Sequence, residues 1–126
     1  MDLSATALKG CPEEMKVVLG DLLTIPYPDE TFDLAASIMF FHHVKEFGFV
    51  PFLQEFYRIL EPGGGLVILE PSLWYPLNLI TRPIKTLFGN PFDEVEDEGP
   101  FRPGLMVRDL ERAGFVNIQV QAATFS

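Results

Sequence analysis

Some acidic and imidazole groups of this 126-residue chain stand where chemistry could be done. Asp21 follows Gly20 at the close of MKVVLG, His42-His43 follow FDLAASIMFF, and Asp2 stands two residues before Ser4. A carboxylate at a strand end can accept hydrogen bonds from a ligand's hydroxyl or amino groups. An imidazole there can take a proton from an acceptor hydroxyl or amine near neutral pH. Each residue also has a plainer use. Asp-x-Ser is an ordinary helix N-cap sequence, Asp21 fits a solvated turn, and histidine serves packing and hydrogen bonding more often than catalysis. No third ligand stands near the histidine pair at helical or hairpin spacing, so no metal site is expected. Cys11 has only Lys9 as a basic neighbour and is expected to be inert.

Gly63-Gly64-Gly65 raises the question of a phosphate cradle. Such a loop needs a strand before it and a helix N-terminus after it, so that free N–H groups and the helix dipole face the anion. Here the order is reversed, with FVPFLQEFYRIL before the glycines and LVILEP after them. Pro62 is expected to end the helix, and Gly63 to adopt the left-handed conformation behind it. The glycines read as a turn.

The elements around these residues alternate between strand and helix. Met15–Gly20 is a short, mostly apolar run closed by Gly20-Asp21 and is expected to be a buried strand. Residues 22–31 hold two prolines and read as loop, and FDLAASIMFF (32–41) has the near-continuous apolarity of a central parallel strand. In 49–60, Phe49, Phe52, Leu53, Phe56 and Leu60 recur at helical spacing opposite Gln54, Glu55 and Arg58. LVILEP (66–71) reads as another buried strand. Residues 103–113 read as a helix with proline at its start and Gly114 just past its end, and FVNIQVQA (115–122) alternates like a strand nearer a sheet edge. Strands separated by helices imply a mostly parallel α/β sheet, which binds ligands beyond the carboxyl ends of its strands.

Composition sets the outer limits. At 48% hydrophobic residues with twelve Phe, the chain can bury a single modest core. A formal charge of -9 opposes contact with phosphate backbones, so no nucleic acid partner is expected. One cysteine fits a reducing compartment. MDLSATALKG lacks the layout of a signal peptide, and LVILEPSLWYPLNLI is too short and too broken to span a bilayer, so a cytoplasmic protein is expected.

Taken together, GDLLTIPYPDETFD (20–33), the apolar run to HHV (42–44) and EFYRILEPGGGLVILEP (55–71) resemble class I S-adenosylmethionine-dependent methyltransferases, in the branch with small-molecule and lipid acceptors. In that family an acid following a glycine ends strand three. A proline–aromatic–proline–acid loop leads to Phe-Asp at strand four, and Pro-Gly-Gly precedes strand five. The resemblance covers residues 14–72, and AGF (113–115) extends it. It implies that Asp2, with Leu3, meets the cofactor's ribose, and that Asp21, with Leu22, meets the adenine amino group. Ser37 and Ile38 would lie along the methionine part by their backbone, while Asp33 would be structural. His42 and His43 would stand near the transferred methyl, where in-line positioning supplies most of the rate and little acid–base chemistry is needed.

The same resemblance implies an incomplete Rossmann-like α/β fold, a mostly parallel sheet with flanking helices. Residues 1–126 would form a partial methyltransferase domain with an irregular segment at 73–100. That segment carries Trp74, Tyr75, Leu77, Leu79, Ile80, Leu87 and Phe88, suited to capping an apolar acceptor or to packing over a sheet edge, with Arg82 and Lys85 among them. The family's glycine-rich loop between strand one and the first helix has no counterpart in these residues, and Met1-Asp2-Leu3-Ser4 resembles the end of strand two. Two functions are therefore expected as alternatives. One is S-adenosylmethionine-dependent methyl transfer, with this chain inactive by itself. The other is a non-catalytic remnant or interaction module. Strands left without neighbours imply a homodimer.

Overall fold

A computed structural model describes residues 1–2, 4–70 and 102–121. Among these residues the helices and strands are, in chain order, α1 at Ala5–Lys9, β1 at Phe32–Ile38, α2 at Val50–Ile59, β2 at Leu60–Leu69 and α3 at Pro103–Ala113. Two single 3-10 turns, Phe41–His43 and Lys45–Phe47, lie between β1 and α2. β1 and β2 pair in parallel, from Leu34 opposite Gly65 to Ile38 opposite Leu69, with α2 as the crossover between them. The expected α/β class and parallel pairing are present.

α2 forms because Pro51 suits a helix's first turn and Phe52, Leu53, Phe56 and Ile59 fall on one face, all buried. Phe41 and Leu53 are fully buried at the centre of the core. The Phe41 ring meets those of Phe40, Phe49 and Phe52 edge-on, with centroids 5.2, 5.5 and 6.5 Å away. α3 adds Met106 to this core and ends where expected, at Gly114 with φ +109. There the Gly114 N–H reaches the Glu111 carbonyl and the Phe115 N–H reaches that of Leu110, the pairing of a Schellman cap. Phe32 and Ala35 of β1 and Leu66 and Ile68 of β2 pack against the same cluster. The alternate residues turn the other way, leaving Leu34 60% and Ile38 64% exposed, with Val67 and Leu69 also exposed.

Four boundaries differ from expectation. Met15–Gly20 is not a strand; only Leu19 pairs, in a single parallel bridge with Asp2. With one bonded neighbour over so short a stretch, the run has no ladder to join. β1 stops at Ile38, because Met39 takes a left-handed φ of +55 that throws Phe40 and Phe41 off the strand line into the core. Residues 115–121 form no strand, and Asn117 with φ +55 interrupts their alternation. α2 ends at Ile59, before Pro62, because Leu60 already pairs with Phe32.

The glycines therefore lie inside β2 and not behind the helix. Between the pairs Phe32–Leu60 and Leu34–Gly65, one residue of β1 faces four of β2, so the chain makes an excursion. Gly63 bears φ +82 at its tip, and a Cβ at Gly64 would lie 2.9 Å from the Glu61 carbonyl oxygen and 3.0 Å from that of Asp33. Gly63 thus takes the expected left-handed conformation, but within β2 and not as the cap of α2, which ends at Ile59. The segment 73–100 lies outside the described residues, as do Leu3 and Ala122.

Candidate functional site

The parallel bridge at Leu19 is what brings the two candidate acids together. Asp2 N–H donates to the Val18 carbonyl at 3.2 Å, and Gly20 N–H donates to the Asp2 carbonyl at 3.0 Å, which places Asp2 beside Gly20-Asp21. Asp21 Oδ1 accepts from Leu23 N–H at 2.8 Å, folding Asp21–Thr24 into a turn. Asp2 Oδ1 accepts from Ser4 N–H at 2.7 Å, and Ser4 Oγ caps α1 by accepting from Ala7 N–H at 3.2 Å. Ser4, not Asp2, is thus the N-cap, and the Asp2 carboxylate braces it.

A cavity of about 320 Å³ opens beside these acids, and its lining includes Asp2, Gly20, Asp21 and Leu22 together with Phe40, Val44, Phe47 and Phe52. Acidic residues in one lining with aromatic and aliphatic ones suit a ligand with a flat ring and polar hydrogens at its edge.

A polar clamp holds the loop that forms the acid side. Arg58 of α2 grips Glu55 with Nε to Oε1 and Nη2 to Oε2, both at 2.9 Å. Its Nη2 and Nη1 also donate to the carbonyls of Ile25 and Tyr27 at 2.9 and 2.8 Å, and Nη1 reaches Asp29 at 2.9 Å. Glu55 Oε2 accepts in turn from Ile25 N–H at 2.9 Å. The Arg58 hydrogen bond, followed by the Ile25 amide, holds the Glu55 carboxyl below its ordinary value against the opposing effect of burial. Hydrogen bonds to Glu55 and Asp29 raise Arg58 above its ordinary value.

The candidate residues separate into groups. Asp2, Asp21 and Leu22 meet at the cavity. Ser37 and Ile38 are not among its lining residues; Ser37 is buried and Ile38 is on the exposed side of β1. Leu3 lies outside the described residues. His42 is buried with Nδ1 2.7 Å from Glu70 Oε2, while His43 is exposed with its ring centroid 3.9 Å from that of His42. Neither histidine lines the cavity. Sequence reasoning missed Glu70. Its signal was an acid at the end of the apolar LVIL, the same pattern that drew attention to Asp21.

A parallel β–α–β unit with acids gathered where strand-end loops meet defines an α/β ligand-binding domain of the Rossmann-like kind. The family model described as "Methyltransferase domain" matches residues 1–68, and the chain belongs to that family, as a class I S-adenosylmethionine-dependent methyltransferase domain. Among curated proteins it is similar to a demethylmenaquinone methyltransferase of Geobacillus sp. (strain WCH70), 34% identical over 88% of this chain and 53% of the relative. It is also similar to one of Anoxybacillus flavithermus, 29% identical over 99% of this chain and 62% of the relative. The chain thus spans between half and two thirds of the length of these relatives. No solved structure matches it significantly. No helix among the described residues is long and apolar enough to cross a membrane.

Proposed function

We propose that this chain supplies the adenosine-facing wall of an S-adenosylmethionine site, serving methyl transfer to a small, lipid-like acceptor. The observation that carries the reading is the meeting of Asp2 and Asp21 at one aromatic-lined cavity. When bound, the cofactor supplies an activated methyl on a sulfonium centre. Asp2 is suited to accept from ribose hydroxyls and Asp21 from the adenine amino group, while Leu22, Phe40 and Phe52 exclude water from the ring. His42, held by Glu70 and outside the cavity lining, is a structural residue in this reading and not a base. A quinone-like acceptor is supported by the relatives' name, demethylmenaquinone methyltransferase.

Among the described residues no strand–glycine loop–helix run occurs, so the chain's own affinity for the cofactor is expected to be weak and its turnover absent. Calorimetric titration with S-adenosylhomocysteine tests the reading. Saturable binding that Asp21→Asn weakens supports it. No binding at millimolar ligand favours the alternative, a non-catalytic interaction module.

The protein in this reading is cytoplasmic and does not bind nucleic acid, in keeping with its lone cysteine and charge of -9. It is also a homodimer. The exposed Leu34, Ile38, Val67 and Leu69 form an apolar sheet face that a second copy can cover. Light scattering should report twice the 14.2 kDa chain mass, and Ile38→Lys should restore the monomer. A clean monomer in the unaltered chain at micromolar concentration removes the dimer.

A further inference from the structure

Glu70, just beyond β2, has a side chain only 1% exposed, so it cannot meet a ligand in the cavity directly. Among the described residues, all its hydrogen-bond partners come from one turn. Oε1 accepts from Phe40 N–H at 2.8 Å and Phe41 N–H at 2.6 Å. Oε2 lies 2.7 Å from His42 Nδ1 and 3.4 Å from His42 N. These are successive N–H groups at the start of a 3-10 turn, where no earlier carbonyl of the turn can reach them.

The turn begins directly after Met39, whose φ of +55 is unfavourable for a residue with a side chain and persists only where its surroundings hold it. From there the chain carries Phe40 and Val44 into the lining of the cavity that Asp2 and Asp21 share. Phe40 is also fixed from behind, its ring edge-on to Phe41 and Phe52. A buried carboxylate that receives several donors from one turn sets the position of that turn.

We propose that Glu70 is a positioning residue, whose carboxylate anchors Phe40–His42 and thereby fixes the Phe40 and Val44 wall of the cavity. The role in cofactor binding rests on the reading given above; the anchoring itself does not. His42 is the second half of the device, since its ring nitrogen occupies the oxygen that the Phe40 and Phe41 amides leave open.

The experiment compares the chain with Glu70→Gln and Glu70→Ala by NMR hydrogen exchange and S-adenosylhomocysteine titration. Glu70→Gln keeps an oxygen for Phe40 and Phe41, so their amides should exchange within about threefold of the unaltered rate. Glu70→Ala should speed exchange at Phe40, Phe41 and His42 by roughly tenfold or more, leaving the Ala35–Ser37 amides unchanged. Affinity should fall roughly fivefold or more in Glu70→Ala and recover in Glu70→Gln. Unaltered exchange at 40–42 overturns the proposal, as does equal loss of protection across β1 and β2 in both variants. Faster exchange with unchanged affinity overturns it too. If the unaltered chain binds no S-adenosylhomocysteine, the cofactor reading falls, and the Phe40 and Val44 side-chain shifts decide the anchoring. They should move in Glu70→Ala and stay in Glu70→Gln; unmoved shifts in Glu70→Ala overturn it.

Discussion

Replacing each of the three glycines by alanine in turn separates a backbone excursion from a ligand-holding loop. At Gly64 a new Cβ would lie 2.9 Å from the Glu61 oxygen and 3.0 Å from the Asp33 oxygen, both backbone atoms. One of the two strands must therefore shift, at a cost of about 1–3 kcal/mol for overpacking. Alanine returns about 0.4–1 kcal/mol by restricting the unfolded chain, so Gly64→Ala should lose roughly 1–2 kcal/mol net. At Gly63 nothing lies within 4 Å, and only the φ of +82 resists a side chain. Left-handed strain of about 1–2 kcal/mol, less the same entropic return, leaves roughly 0.5–1 kcal/mol. Gly65 meets only Leu34 Cδ1, at 3.4 Å and with an ordinary φ, so Gly65→Ala should be nearly neutral. Urea unfolding followed by circular dichroism reads these differences. With a slope of about 1–3 kcal/mol per molar, a loss of about 1 kcal/mol moves the midpoint by roughly 0.3–1 M. The order should be Gly64, then Gly63, then Gly65. Variants that keep the midpoint but lose S-adenosylhomocysteine affinity would refute the turn and restore the cradle.

Further outcomes follow from the site. Asp21→Asn keeps an oxygen for Leu23 N–H but removes the charge and one acceptor, so it should weaken any S-adenosylhomocysteine binding by about 1–3 kcal/mol without unfolding the loop. An unchanged dissociation constant would leave Asp21 a turn residue only. Because the Glu55 carboxyl is held below its ordinary 4.5, the stability it contributes is present above that value and lost as pH falls through the lower folded value. Glu55→Gln should therefore be less stable than the unaltered chain at pH 7, and the gap should close between about pH 5 and the acid limit. A gap that stays constant on acidification removes the ion-pair account. Phe41→Ala empties the centre of the aromatic cluster and should lose about 3–5 kcal/mol in urea unfolding. A loss under about 1 kcal/mol would mean that the cluster is not the core.

What the sequence by itself determined was local. Helical spacing of Phe49, Phe52, Leu53, Phe56 and Leu60 pointed to α2, in which the structure has Ile59 as the last buried residue, and proline at 103 with glycine at 114 bounded α3. The apparent helix–glycine–strand order was enough to exclude a phosphate loop, which needs the opposite order, but not to reveal that the glycines fall within β2. The ordered motifs from Asp21 to Glu70 were enough to identify the family, because each is a chain-local consequence of a strand end or a turn. Tertiary structure decided everything that depends on a neighbour. Met15–Gly20 has strand composition, yet a strand exists only where a partner offers a ladder, and just Leu19 finds one. Ile38 and Ser37 are adjacent in sequence, but the pleat sends them to opposite faces, one exposed and one buried. Glu70 and the Phe40–His42 turn are about thirty residues apart, so no local pattern could pair them. Parallel register sets the distance between them. β1 and β2 end side by side, Ile38 opposite Leu69, so the residues leaving each strand must meet.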